Sequence, residues 1–99
     1  MAYNLIIKDA AILDIQVAYL YYEQQQDGLG ERFLGELNKR FEAITQHPEY
    51  YSFIDNKQVF RDVLVNNFPY VVVYAVIEAE VRVYAICSTH RHPANKYRE

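Results

Sequence analysis

The densest chemistry in this sequence lies near its C-terminus, where residues 88–98 read Ser-Thr-His-Arg-His-Pro-Ala-Asn-Lys-Tyr-Arg. Arg offers a phosphate a fixed, planar set of donors. His titrates near neutral pH and can give or take a proton. Tyr can stack on a base and hydrogen-bond. With Arg61, the residues His90, Arg91, His92 and Tyr97 contain the parts for cutting RNA without a metal. That reaction needs an activated 2′-oxygen, donors that stabilise charge at phosphorus and a proton for the leaving 5′-oxygen. A plainer reading stands beside it: a solvated chain end with a Pro turn, its cations close to acidic helices.

The other candidates each have a chemical and a structural reading. His90 and His92 are two residues apart with no third ligand at zinc-site spacing, so neither a metal nor a cofactor is expected. Cys87 ends a strand whose alternation turns it inward with Val83 and Ala85, as a packed thiol and not a nucleophile. Glu78 and Glu80 resemble a carboxylate pair but mark a hairpin tip. Arg82, Lys96 and Arg98 are cations that a partner could contact, although Arg82 equally suits an ordinary exposed strand position. Tyr19, Tyr21, Tyr22, Tyr50 and Tyr51 belong to a set of ten tyrosines. They form a partner surface, since Tyr is enriched at interface hot spots, or Tyr19 and Tyr22 are core and the others cover it.

The 99 residues make one domain, 1–99. A chain that is 52% hydrophobic and 23% charged folds into a globule. Its net charge of −3 argues against broad nucleic-acid binding, which draws on many Lys and Arg, and no sequence-specific DNA binding by the chain alone is expected. One cysteine, Cys87, cannot form an internal disulfide, so a reduced, cytoplasmic setting is expected. Residues 1–8 are too short and too polar for a signal peptide. No apolar run approaches the roughly 18 residues that span a bilayer, so no membrane contact is expected.

The elements that must position these residues are legible from periodicity. Residues 59–65, 70–77 and 81–87 are rich in Val, Ile, Tyr and Phe, which suit a pleated, half-buried surface. Short breaks at Asn66–Pro69 and Glu78–Glu80 make them neighbours in a three-stranded antiparallel meander. The second segment is apolar throughout, as a central strand covered on both faces should be. In the third, Val81, Val83 and Ala85 alternate with Arg82, Tyr84 and Ile86. Tyr3 to Lys8 is expected to be an additional strand of the sheet. Asp9 is placed to cap a helix running from Ala10 to Gln26, with Ile12, Ile15, Tyr19 and Tyr22 as its core stripe. Gly28 follows as a helix-terminating residue, and Leu29-Gly30 as the connection. A second helix runs from about Glu31 to Gln46, with Phe33, Leu37, Phe41 and Ile44 inward, and His47-Pro48 closes it. Residues 49–58 are a connector that either holds a short irregular strand or crosses the sheet. The class is α+β: a strand, a two-helix hairpin, then the meander packed on the helices, with a short basic tail.

In that order these elements resemble the RelE/ParE superfamily of bacterial toxins. The local likenesses are Tyr21-Tyr22-Glu23 at the end of helix one, Gly28-Leu29-Gly30 with Arg32-Phe33-Leu34, and Ile44-Thr45-Gln46-His47-Pro48. They continue with Phe60-Arg61, Asn67-Phe68-Pro69-Tyr70, Val73-Tyr74 and Arg91-His92-Pro93. The resemblance covers essentially the whole chain. It implies the toxin of a type II toxin–antitoxin pair, a growth inhibitor neutralised by a cognate antitoxin that wraps its surface. The Gly-Leu-Gly hairpin and the Phe-Pro-Tyr turn look more like the ParE-like and plasmid stabilisation members, and the ParE-like members inhibit DNA gyrase. The alternative is a RelE-like mRNA interferase, an endoribonuclease acting on the mRNA-loaded ribosome. There Arg61 and Arg91 would stabilise phosphate charge, and Tyr97, His90 or His92 would move protons. Val63 and Val71 stand where that branch suggests Lys and Arg. A third alternative is an inactive member that only binds proteins.

Overall fold

The structure, a computed structural model, describes residues 3–89. Strand β1 (Asn4–Ile7) leads into helix α1 (Asp9–Gln25) and helix α2 (Leu29–Gln46). A 3-10 turn (Pro48–Tyr50) follows, then β2 (Phe60–Leu64), β3 (Tyr70–Ile77) and β4 (Glu80–Ser88). The sheet order is β1-β4-β3-β2. The meander is antiparallel, and β1 joins its far edge parallel to β4, with Leu5 beside Val81 and Ile7 beside Val83. This is the expected α+β class, with the expected additional strand at the β4 edge.

The core lies between the helices and one face of the sheet. Phe33, Leu37, Phe41 and Ile44 recur at helical spacing along α2, and all four are buried, as the sequence predicts. They meet Val72, Tyr74, Val81, Val83 and Ile86 from the sheet. Phe68, in the turn between β2 and β3, is pulled into the same cluster, its ring 5.3 Å from Phe33 and 4.9 Å from Tyr22. On the opposite face Val71, Val73 and Ala75 are also buried, so β3 is the doubly covered central strand.

The alternation expected of β4 holds only over its first half. Tyr74 pairs with Val83 and Val73 with Ala85, leaving Tyr84 as an extra residue in a β-bulge. One extra residue reverses the facing of everything after it. Ile86 therefore joins Val81 and Val83 in the core, while Ala85 and Cys87 take the register of Val73 and Val71 on the far face. Cys87 is half-buried.

The helix boundaries differ in detail from the periodicity. Lys8, and not Asp9, is the N-cap of α1, and Asp9 sits in the first turn, where its charge favours the positive end of the helix dipole. The predicted connection Leu29-Gly30 is already helical. Gly28 precedes α2 with φ +88°, a left-handed conformation that L side chains resist, and the hairpin therefore turns on Asp27-Gly28. Gly30 is buried because α1 crosses there; a Cβ on it would lie 2.8 Å from the Tyr19 ring and 2.9 Å from the Tyr19 carbonyl. The 49–58 connector closes over the outer edge of β2, where Phe53 bridges Arg61 and the Ile54 N–H donates to the Phe60 carbonyl at 2.9 Å.

Candidate interaction site

The buried face of helix α1 is made of small residues, Ala11 and Ala18. Small residues let the helix lie close to α2 and β4, the elements it packs on. The large apolar residues consequently point elsewhere. Ile15 and Tyr22 are half-buried against the core, as expected, but Ile12 of the predicted core stripe is exposed. Leu13, Val17 and Leu20 are 60%, 62% and 57% exposed, and Tyr21 is exposed beside them. The spacing Leu13-Val17-Leu20 is i, i+4, i+7, a second helical stripe that the sequence carries in plain form. Ile12-Ile15-Tyr19-Tyr22 satisfies the same rule on the other side, so spacing alone does not rank the two stripes.

Two grooves flank this ridge. One, of about 370 Å³, runs between α1 and the end of β4 and is lined by Leu13, Asp14, Val17, Tyr70 and Ile86, among others. Past Ile7 the β1 strand no longer covers the β4 edge. The Asp14 carboxylate covers part of it by accepting the Ile86 N–H at 3.0 Å. The second groove, of about 460 Å³, lies between α1 and α2, with Ile15, Tyr19, Leu20, Leu34 and Glu31 in its walls.

The candidate residues fall in separate places. Arg61 pairs with Tyr74 on the helix side of the sheet, and Arg82 pairs with Ala75 on the far side. The Arg61 guanidinium donates to the carbonyls of Tyr51 (2.6 Å) and Glu49 (3.2 Å) and lies 3.8 Å over the Phe53 ring. It pins the connector to the sheet. Arg82 Nε donates to Glu80 Oε1 at 2.8 Å, and that bond, with Tyr84, holds its guanidinium protonated more firmly than usual. Tyr22 packs in a ring cluster with Phe33, Phe68 and Tyr70, at 4.9–6.0 Å. Burial first, and then Tyr70 and Tyr21, raise its phenol pKa and keep it neutral. Tyr19 lies against Gly30 at the helix crossing. Tyr74, absent from the candidates, is fully buried and donates to the Pro48 carbonyl at 2.6 Å. His90, Arg91, His92, Lys96, Tyr97 and Arg98 lie outside the described residues. Among the described residues no group of His, Cys, Asp and Glu could hold a metal. None of their helices is long and apolar enough to cross a membrane.

The fold is shared with chains of known structure. A chain of the chromosomal ParDE toxin–antitoxin system from P. aeruginosa superposes with a TM-score of 0.77 at 12% identity, over 88% of this chain and 96% of that one. The YoeB dimer from Staphylococcus aureus matches at TM-score 0.62 and 17% identity, over 91% of this chain and 99% of that one. A double mutant of the E. coli toxin RelE in its free state matches at 0.63 and 17%, over 96% and 92%. No curated protein sequence matches the chain. The family described as "ParE toxin of type II toxin-antitoxin system, parDE" matches residues 5–93. Strand, helix hairpin and meander in this order, matched over nearly the whole sequence, place the chain in the ParE toxin family of type II toxin–antitoxin systems, within the RelE/ParE superfamily.

Proposed function

We propose that this toxin is held inactive by a cognate antitoxin and, once released, arrests bacterial growth by binding DNA gyrase. What favours gyrase over RNA is the setting of Arg61. Its Nη1 donates to two backbone carbonyls and its face lies over Phe53, so it braces the connector. Val63 and Val71, at the positions where a RelE-like nuclease suggests cations, are buried apolar side chains. The described sheet thus offers no pair of Arg or Lys side chains that could grip a scissile phosphate together. Arg82, with Arg91, Lys96 and Arg98, is the proposed set of target contacts. The antitoxin is supported by the family and by the large apolar surface left on α1.

Pulse labelling of DNA and protein synthesis after induction of this chain alone in a bacterial host tests the reading. DNA synthesis is expected to fail first, with double-strand breaks. Early collapse of protein synthesis with cut mRNA would overturn it and return Arg61, Arg91 and Tyr97 to catalytic roles.

A further inference from the structure

We infer that the connector before β2 is a strap, latched by Arg61, that closes the outer edge of the sheet against strand pairing with a second copy of the chain. β2 stands last in the sheet order, so one of its sides has no strand of the sheet beside it. The Val65 N–H donates to the Tyr70 carbonyl at 2.9 Å, so residues 61, 63 and 65 turn their backbone groups toward β3. Residues 60, 62 and 64 turn theirs outward. The run carries Val at 59, 63 and 65 and Phe at 60, and such an edge is a template for another strand. The strap meets it in antiparallel register. Phe53 lies opposite Arg61, the Ile54 N–H donates to the Phe60 carbonyl at 2.9 Å, and the Asp62 N–H points at the Ser52 carbonyl at 3.4 Å. Tyr50, which this register would set opposite Leu64, already belongs to the 3-10 turn, so the cover stops short of the exposed Leu64.

Those backbone bonds make a thin ladder, the second of them long. The strap turns into β2 through Gln58, whose φ of +58° most side chains resist. Arg61 supplies what the ladder lacks. Its Nη1 reaches the Tyr51 and Glu49 carbonyls, and its guanidinium lies over the Phe53 ring. Charge-assisted bonds are stronger than neutral ones, and a cation over a ring adds to them. All three contacts converge on one side chain, carried by the strand that the strap covers. The root of the strap is held separately, by the Tyr74 hydroxyl on the Pro48 carbonyl. Loss of Arg61 therefore frees the strap beyond Pro48 as a unit and leaves the core folded. β2 holds no proline and no lysine, the residues that blunt an open edge. Its charged residues do not guard it either: Arg61 is engaged with the strap and Asp62 is buried. A second copy is the occupant that fits, because each opened copy offers the other the same outward row of backbone groups.

Arg61→Met tests this in the full-length chain, since it keeps the stem and removes the donors. Hydrogen exchange at the Ile54 amide should accelerate about tenfold or more, and exchange at the buried Val72 and Val83 should not. By sedimentation equilibrium the variant should self-associate at concentrations about tenfold or more below those of the unaltered chain. Adding Leu64→Lys, a charge at the end of the edge, should abolish that increase and leave the fast exchange at Ile54 in place. Unchanged exchange at Ile54 would overturn the latch. So would equal acceleration at Val72 and Val83, which would make Arg61 a support of the whole fold. Opening without association, or association indifferent to Leu64→Lys, would overturn the strap as a cover. Should Arg61→Met fail to fold, Phe53→Ala weakens the latch from the strap's side alone. Faster exchange at Ile54 is expected there too, and an unchanged rate would overturn the inference.

Discussion

The Asp14 carboxylate accepts the backbone N–H of Ile86 at 3.0 Å, tying the first helix to the last strand across 72 positions of sequence. This bond sits where β1 has ended and the β4 edge would otherwise open. A charged acceptor on a part-buried N–H contributes about 1.5–3 kcal/mol. Asp14→Ala should lower the unfolding free energy in urea by about that much. Asp14→Asn, which keeps an acceptor oxygen, should lose less. Equal losses would mean that the bond does not carry the effect.

Glu23 does a similar task at the hairpin. Its Oε1 accepts the N–H groups of both Gly28 and Gly30 at 2.9 Å, capping α2 from the preceding helix. Removing such a cap costs about 1–2 kcal/mol. Glu23→Ala should show that loss by thermal or urea denaturation, and Glu23→Gln should retain most of the stability.

Two glycines of α2 should respond in opposite directions. Gly30→Ala drives a methyl against the Tyr19 carbonyl, which no side-chain rotation relieves, and should destabilise by about 1–3 kcal/mol. Gly35 is exposed in mid-helix with nothing within 4 Å of an added Cβ. Gly35→Ala should therefore stabilise by about 0.5–1 kcal/mol through helix propensity. Melting temperatures of the two variants check both signs at once.

Burial, the largest influence, pushes the Tyr74 phenol well above its ordinary value of 10.0. A pKa raised on folding favours the protonated form in the native state. The associated stability is complete below pH 10 and is lost as pH climbs from there towards the native value. Urea midpoints should therefore fall above pH 10. Tyr74→Phe should be less stable at neutral pH by about 0.5–1.5 kcal/mol, having lost the bond to Pro48, and should fall less steeply in alkali. An identical alkaline slope in the variant would assign the loss to the other tyrosines.

Local residue pattern by itself determined the α2 core stripe, the three meander strands, the doubly buried β3 and the turn at Asn66–Pro69. Each of these depends on residues only a few positions apart, and a helix or strand repeats its facing on that scale. The family likeness was legible for the same reason, since it rests on local motifs in a fixed order. Tertiary structure decided the rest. The bulge at Tyr84 arises from the register between two strands, and it moved Ile86 into the core and Cys87 out of it. Arg61 reads in sequence as a phosphate-binding cation. Only the return of the connector over β2 brings Glu49, Tyr51 and Phe53 around it. Helix α1 carries two apolar stripes, and local spacing cannot rank them. Close packing at Ala11 and Ala18 buried one side and left Leu13, Val17 and Leu20 in the open, because small residues allow a near approach that large ones prevent.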